Sequence, residues 1–496
     1  MRRLAAVLAV LIGGGTGLAE AALEIKPFEL PTLDGKRHPA ELGRLQVPED
    51  RARPDGPKIT LTFVRLPTKA TAPGPPIVFL AGGPGVPGTL VGRRPAYYEL
   101  FERLSELGDV ILLDQRGTGL SEPTLQCVAK GSLPANTFES EAKVAIALGG
   151  VVRPCVKLVR GDGHSPEAYN TNASADDLDD LRAALGADKL RLLGVSYGTE
   201  LALAAVRRHG DRIERIVLAG TRGPDHVWKL PSTLESQLER VSQLTAADSL
   251  YGALLPDLVG TVRRILDTLA WRPASLEVTD AKTGKKVRLR VGPVGLQAVL
   301  QNDICDALAV TQVPALIATL ASGDSLLFAR RIENLYNGLG AGISVMALAT
   351  DCASGGTPER ISRVAEERKR AVLGGVRNLL VNEAFCELVG SPDLGPTARA
   401  PISSDTPALF ITGEYDGVSP PTQAEEVSRG FPNGIHVIIE NGWNETLPAP
   451  SVQNLVVDFF KGIDVHTRRI RLVPMRFLTV EEAKERAGGR KPPPRE

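Results

Sequence analysis

The sequence predicts an α/β protein, a mostly parallel sheet wrapped by helices and interrupted by a mainly helical insertion. Three observations carry that prediction. Two short apolar runs, Pro76–Leu80 (PIVFL) and Asp109–Leu113 (DVILL), each end in a Gly-rich loop. Buried parallel strands have this pattern, and their carboxyl ends are where open sheets place their sites. The stretch Lys189–Leu203 (KLRLLGVSYGTELAL) reads as strand, sharp turn and helix around Gly194-Val195-Ser196-Tyr197-Gly198. From about residue 223 to residue 400 helical periods dominate, and strand character returns at Ala408–Thr412 (ALFIT).

Taken in order, the chain opens on Arg2 and Arg3, an apolar run from Leu4 to Leu18, and Ala19-Glu20-Ala21. Positive end, apolar stretch and small-residue cleavage site together read as a secretory signal over residues 1–21. Export is therefore expected, to a periplasmic or secreted location, with no membrane attachment after cleavage. Residues 23–57 are rich in Pro and charge and are expected to drape over the body. Lys58–Leu66 (KITLTFVRL) alternates like a half-buried strand. Ser174–Leu185 reads as a helix with Ser174 as N-cap and Gly186 as its stop. Arg215–Ala219 (RIVLA) follows the G-x-S-x-G stretch as a further strand, so the rhythm is that of right-handed crossovers in a parallel sheet.

The division this implies is a first core part over residues 22–222, a helical cap over 223–400 and a second core part over 401–465. Within the cap, helical stretches run over 234–245, 251–269 and 315–336, broken by a strand-like hairpin near 276–291. A tail follows from 466, polar and expected to fray from Glu481.

Composition bounds the function. Lys and Arg number 58 against 58 Asp and Glu, so no global field calls for nucleic acid or an anionic membrane as partner. Five cysteines fit an oxidising compartment. There we pair Cys127 with Cys155 and Cys352 with Cys386 and leave Cys305 as a buried thiol, a connectivity that sequence alone leaves open. No C-x-x-C occurs and only six histidines are present, so neither a metal nor another cofactor is called for.

The chemistry concentrates on Ser196. A bare G-x-S-x-G is common in loops, but between a strand and a helix it is the nucleophile elbow of an α/β-hydrolase, which holds the serine on a strained turn. The helix start beyond it supplies backbone N–H groups where negative charge develops.

Three motifs together, G-G-P-G at 82–85, D-Q-R-G-T-G at 114–119 and G-V-S-Y-G at 194–198, resemble the secreted prolyl/tripeptidyl aminopeptidase group of α/β-hydrolase serine peptidases. The likeness runs over roughly residues 45–465. It implies an α/β-hydrolase core with an inserted helical cap and a Ser, Asp, His triad in that chain order. It also implies removal of residues from peptide N-termini. By position, Ser196 is the nucleophile, Tyr197 with the Gly82/Gly83 loop the oxyanion hole, and Asp416 the acid that orients the base. Arg116 of the second motif is expected to hold loops together.

The sequence departs from that pattern where the base should stand. The loop Glu440–Leu447 (ENGWNETL) carries Asn444 at the position expected for His. An amide donates and accepts hydrogen bonds but cannot take a proton from serine. Among the histidines, His226 follows the RIVLA strand and is the candidate substitute base, while His436 and His164 are weaker candidates. The family's acids after a cap cysteine, which pair with a substrate's α-ammonium, are also missing. Cys352 is followed by Ala353-Ser354-Gly355-Gly356, leaving Asp351 and Glu200 as candidate amine contacts.

The expected function is thus an aminopeptidase-like exported hydrolase with an impaired triad, its activity weak or absent, acting on a peptide or small acyl substrate. Two alternatives fit the same residues: a catalytically silent peptide- or protein-binding homologue, and an esterase on small acyl substrates. Oligomeric state is not legible.

Overall fold

The computed structural model describes residues 23–128 and 130–488. The signal expected over residues 1–21 lies outside them.

Fourteen strands form among the described residues. In chain order they are β1 (Leu23–Pro31), β2 (Arg37–Pro48), β3 (Lys58–Leu66), β4 (Ile77–Leu80), β5 (Val110–Asp114), β6 (Gln126–Cys127) and β7 (Leu190–Val195). Then follow β8 (Ile213–Ala219), β9 (Ala274–Thr279), β10 (Lys286–Val291), β11 (Ile343–Ser344), β12 (Ala408–Gly413), β13 (Gly434–Glu440) and β14 (Arg469–Arg471). Ten of them make one sheet in the order β1-β2-β3-β5-β4-β7-β8-β12-β13-β14. The first three neighbour pairs are antiparallel, and from β5 onward every pair is parallel. The central strands are buried on both faces, which is why the sequence reads there as unbroken apolar runs rather than as alternation.

Helices cover both faces. One apolar layer sets Tyr97, Phe101 and Val456 against Phe79, Val217 and Ile411. The opposite layer sets Leu178, Leu201 and Val206 against Val78, Leu192 and Phe410. The cap has its own core, drawn from helices such as Pro231–Ala247, Leu258–Trp271, Val313–Ala321 and Leu326–Ala341. The helical period expected over 315–336 is two helices, parted at Ser322-Gly323-Asp324.

Three expectations are corrected by packing. Residues 23–48 do not drape. They form the antiparallel pair β1–β2 at the sheet edge, where one exposed face and several prolines hid the strand signal. The helix read from Ser174 begins at Thr171, capped by the side chain of Asn170 on Ala173 N. The tail is not frayed at Glu481. The helix Val480–Ala487 is fixed by a capping box between Thr479 and Glu482, and it buries Ala483 in the cap core.

Residues 126–128 and 130–161, placed in the first core part by chain order, also bury against the cap. Val144, Val152 and Val159 share its apolar cluster, and β6 pairs with β11. Disulfides join Cys127 to Cys155 and Cys352 to Cys386, and Cys305 is free and buried. That is the expected pairing. No helix among the described residues is long and apolar enough to cross a membrane.

Candidate functional site

The site is built at the carboxyl ends of four neighbouring strands, β7, β8, β12 and β13. Ser196 follows β7 at φ 53°, ψ −120°, conformations a non-glycine residue adopts only when its surroundings impose them. Its N–H donates to Ala219 O at 2.9 Å, and Thr199 N returns to its carbonyl at 2.9 Å. The helix Tyr197–His209 then starts at once. The motif glycines make this turn sterically allowed. A Cβ on Gly198 would stand 1.9 Å from Leu80 O, and one on Gly194 would stand 2.5 Å from Gly198 O.

The G-G-P-G loop after β4 leans over the serine. A Cβ on Gly82 would lie 3.0 Å from Ser196 Cβ and 3.5 Å from its Oγ, so only glycine lets this backbone approach. Gln115 of the second motif supports the loop, donating Nε2 to Ala81 O at 3.1 Å. Gly82, the partly covered Ser196 and the buried Tyr197 N-terminal turn are therefore neighbours, with Gly83 next in the loop. Arg116 stays away from them, fully buried between Asp177, Glu49 O and Ala168 O.

The acid turn follows β12. Asp416 is buried, and its Oδ1 accepts from Val418 N and Ser419 N, both at 2.8 Å. Its Oδ2 accepts from Asn444 Nδ2 at 2.8 Å. Glu414 N to Ile439 O and Tyr415 N to Gly442 O zip this turn to the loop carrying Asn444. Gly220, one residue beyond the carbonyl that holds Ser196 N, lies against the same pair: a Cβ there would be 3.2 Å from Asn444 Nδ2 and 3.5 Å from Asp416 Oδ2. Burial pushes the Asp416 carboxyl up to about 6, against the pull of its three donors and of Lys229.

Ser196 Oγ has no hydrogen-bond partner among the described residues. His226 does not supply one. It is buried with Nδ1 accepting from Gly223 N at 2.9 Å and Nε2 facing Glu426 at 3.3 Å, and burial holds its pKa down. His436 contacts Thr412 Oγ1 inside the sheet, and His164 contacts Glu49.

The acids expected to meet a substrate amine are already engaged. Arg222, just past β8, is buried between them with Nε 2.5 Å from Glu200 Oε2 and Nη2 2.5 Å from Asp351 Oδ1. Glu200 also accepts from Ser354 Oγ at 2.7 Å. Burial raises its pKa against the pull of Arg222. The guanidinium lies over the Tyr197 ring at 5.4 Å. Sequence reasoning missed Arg222, although an arginine three residues past a buried strand's last apolar position, in TRGP, was a signal.

Lys229 was missed too. Its Nζ donates to Val418 O in the acid turn at 3.3 Å. Burial and the charges of Arg222, Arg377 and Arg360 push its ammonium down to about 7, against the pull of Asp351.

The comparisons bear on this geometry. The profile of the alpha/beta hydrolase fold matches residues 75–261, the stretch that contains β4, β5, the elbow and β8. The fold is that of an α/β-hydrolase. Serine protease Hip1 of Mycobacterium tuberculosis is 29% identical to this chain over 272 residues, 50% of each chain. Tripeptidyl aminopeptidase of Streptomyces coelicolor is 29% identical over 205 residues, 38% of this chain and 37% of that one. The chain thus spans half or less of the length of these curated relatives. Among solved structures, a proline iminopeptidase of Mycobacterium smegmatis matches over 84% of this chain and 98% of its own, at 13% identity and a TM-score of 0.39.

Proposed function

We propose that this hydrolase is a peptidase-type acyl-transfer scaffold, exported, whose nucleophile and oxyanion hole are intact and whose proton acceptor is missing. Ser196 is the nucleophile. Tyr197 N–H and the Gly82/Gly83 backbone face the developing oxyanion. Asp416 and Asn444 occupy the places of acid and base. The single observation behind this reading is the Asn444 Nδ2–Asp416 Oδ2 bond of 2.8 Å beside the elbow. It is the contact an imidazole N–H would make to its orienting carboxylate, made here by an amide.

The chemistry follows. Attack by Ser196 on a carbonyl needs its proton to leave as the C–O bond forms, and an amide nitrogen has no free pair for it. Turnover is then limited to what positioning and oxyanion stabilisation provide, about 10³–10⁴ over water by analogy with triad knockouts. The peptidase class of substrate rests on Hip1 and the tripeptidyl aminopeptidase as relatives. Export rests on the residues at the start of the chain and is compatible with the two disulfides.

A fluorophosphonate probe tests the reading. Wild-type Ser196 labels slowly or not at all, and Asn444→His labels readily, with aminoacyl-anilide cleavage appearing in the same variant. Rapid labelling of the wild type would overturn the missing-base account. Failure of Asn444→His to label would overturn the assignment of position 444. A second reading, a silent peptide-binding cleft, is favoured by the same Asn444 contact and gains if peptides bind while labelling stays absent.

A further inference from the structure

The charge pattern over the site points away from a free α-ammonium. Both acids that could receive one, Glu200 and Asp351, are joined through Arg222. On the opposite side, toward the acid turn, Lys229 and Arg377 make no ion pair among the described residues. Both are built in rather than dangling. Asn378 clamps the Lys229 backbone from both sides, accepting from Lys229 N at 2.9 Å and donating to Lys229 O at 2.8 Å. Arg377, the residue before that clamp, is anchored by its N–H on Gln301 Oε1 and its Nη1 on Gln301 O, both at 3.1 Å.

The same wall closes around the acid turn. Gln237 donates to Tyr415 O at 2.7 Å, and a Cβ on Gly417 would meet Cys305 Sγ at 3.1 Å. Lys229 Nζ reaches Val418 O, within the fields of Asp416, Asp351, Arg222, Arg360 and Arg377.

We propose that Lys229 and Arg377 form an anion subsite beside the Asp416 turn, so that the cleft takes a peptide carrying a carboxylate in preference to one presenting a free amine. The proposal rests on the reading of this cleft as the substrate site. A carboxylate seated there supplies the counter-charge that Lys229 lacks, and a charge-assisted bond of this kind contributes enough for about tenfold in affinity. Because Lys229 is close to half-protonated near neutrality, seating the anion also draws a proton onto it.

The test uses the full chain and three probes: succinyl-Ala-Ala-Ala-p-nitroanilide, its acetyl counterpart and its free-amine counterpart. Titration calorimetry at about pH 8 reads their dissociation constants, and two buffers of different ionisation heat read proton uptake. The succinyl probe binds about tenfold tighter than the acetyl probe, with the free amine weakest, and takes up protons on binding. Lys229→Met levels the series, whereas Lys229→Arg keeps the order and loses the proton uptake. Equal affinities, a preference for the free amine, or an unchanged order in a folded Lys229→Met protein would overturn the proposal. The hydrolase reading is judged separately by labelling of Asn444→His. Labelling without succinyl preference sinks only this inference, and succinyl preference without labelling sinks only that reading.

Discussion

The two halves of the site differ in what they keep. On the β7 side, every steric requirement of a nucleophile elbow is met: a serine at positive φ, glycines where Cβ atoms would collide, and a Gly-rich loop over the hydroxyl. On the β12–β13 side the scaffolding is equally complete, with the acid turn zipped to the loop beyond β13, yet the side chain presented at 444 is an amide. Backbone geometry is held by many residues at once, whereas a proton acceptor is held by one. On the proposed reading, one side chain would decide the chemistry while the architecture stands.

The strongest way to break that comparison is to restore the base. With Asn444→His, acyl transfer rises by roughly five orders of magnitude, the scale of triad knockouts read in reverse. The second substitution Ser196→Ala abolishes the gain. The measurement is the initial rate on an aminoacyl anilide, and a gain below tenfold would mean that the β7 half is less complete than its geometry indicates.

Sequence made the β7 half legible because each of its constraints falls on a local motif: a glycine needed for close approach, a serine between strand and helix periods. The apolar runs of β4, β5, β8 and β12 were equally plain, since strands buried on both faces leave no choice of residue. Asn444 stood out only as a departure from the resembled family's pattern, and the structure sets its amide on Asp416. What escaped were the features settled by tertiary packing. Arg222 satisfies Glu200 and Asp351 across the core–cap junction, and nothing local says that two distant acids will share one guanidinium. Lys229 was passed over because a lysine near a helix start reads as solvated. The β1–β2 edge pair was hidden by Pro27, Pro31, Pro39 and Pro48, which an edge tolerates and a central strand does not. The helix at 480–487 carried a readable capping box at Thr479 and Glu482, but its charged composition outweighed it.

The Glu200–Arg222–Asp351 network provides the next largest effect. Arg222→Met leaves the buried Glu200 without its counter-charge, and breaking such a pair costs about 3–5 kcal/mol. Adding Glu200→Gln recovers most of the loss, since the pair is then removed as a unit. Chemical denaturation followed by tryptophan fluorescence reads both. If Arg222→Met alone is as stable as wild type, the network is not the counterweight its distances describe. The cap is tested by its own staple. Replacing Cys352 and Cys386 by Ala reopens a loop of 34 residues' separation and costs about 2–4 kcal/mol by loop entropy. The loss should show as a lowered first transition in calorimetry, with the β7 half unaffected.

The last effect bears most directly on the proposed absence of an imidazole. Burial raises the Asp416 carboxyl from 3.8 to about 6 in the folded chain. Below its unfolded pKa the group is neutral in both states, and its contribution to stability is fully present. Between there and about 6 the folded chain keeps a proton that the unfolded chain releases, so that contribution is lost as pH rises, by about 3 kcal/mol in total. Asp416→Asn carries no such slope, because an amide does not titrate, while its carbonyl can still accept from Val418 N and Ser419 N. The stability of wild type relative to this variant therefore falls as pH rises from about 4 to about 7, and parallel curves would sink the claim. In an Asn444→His background the imidazolium beside Asp416 pulls the carboxyl back down. The fall flattens, and the acid turn then behaves as one that has regained its partner.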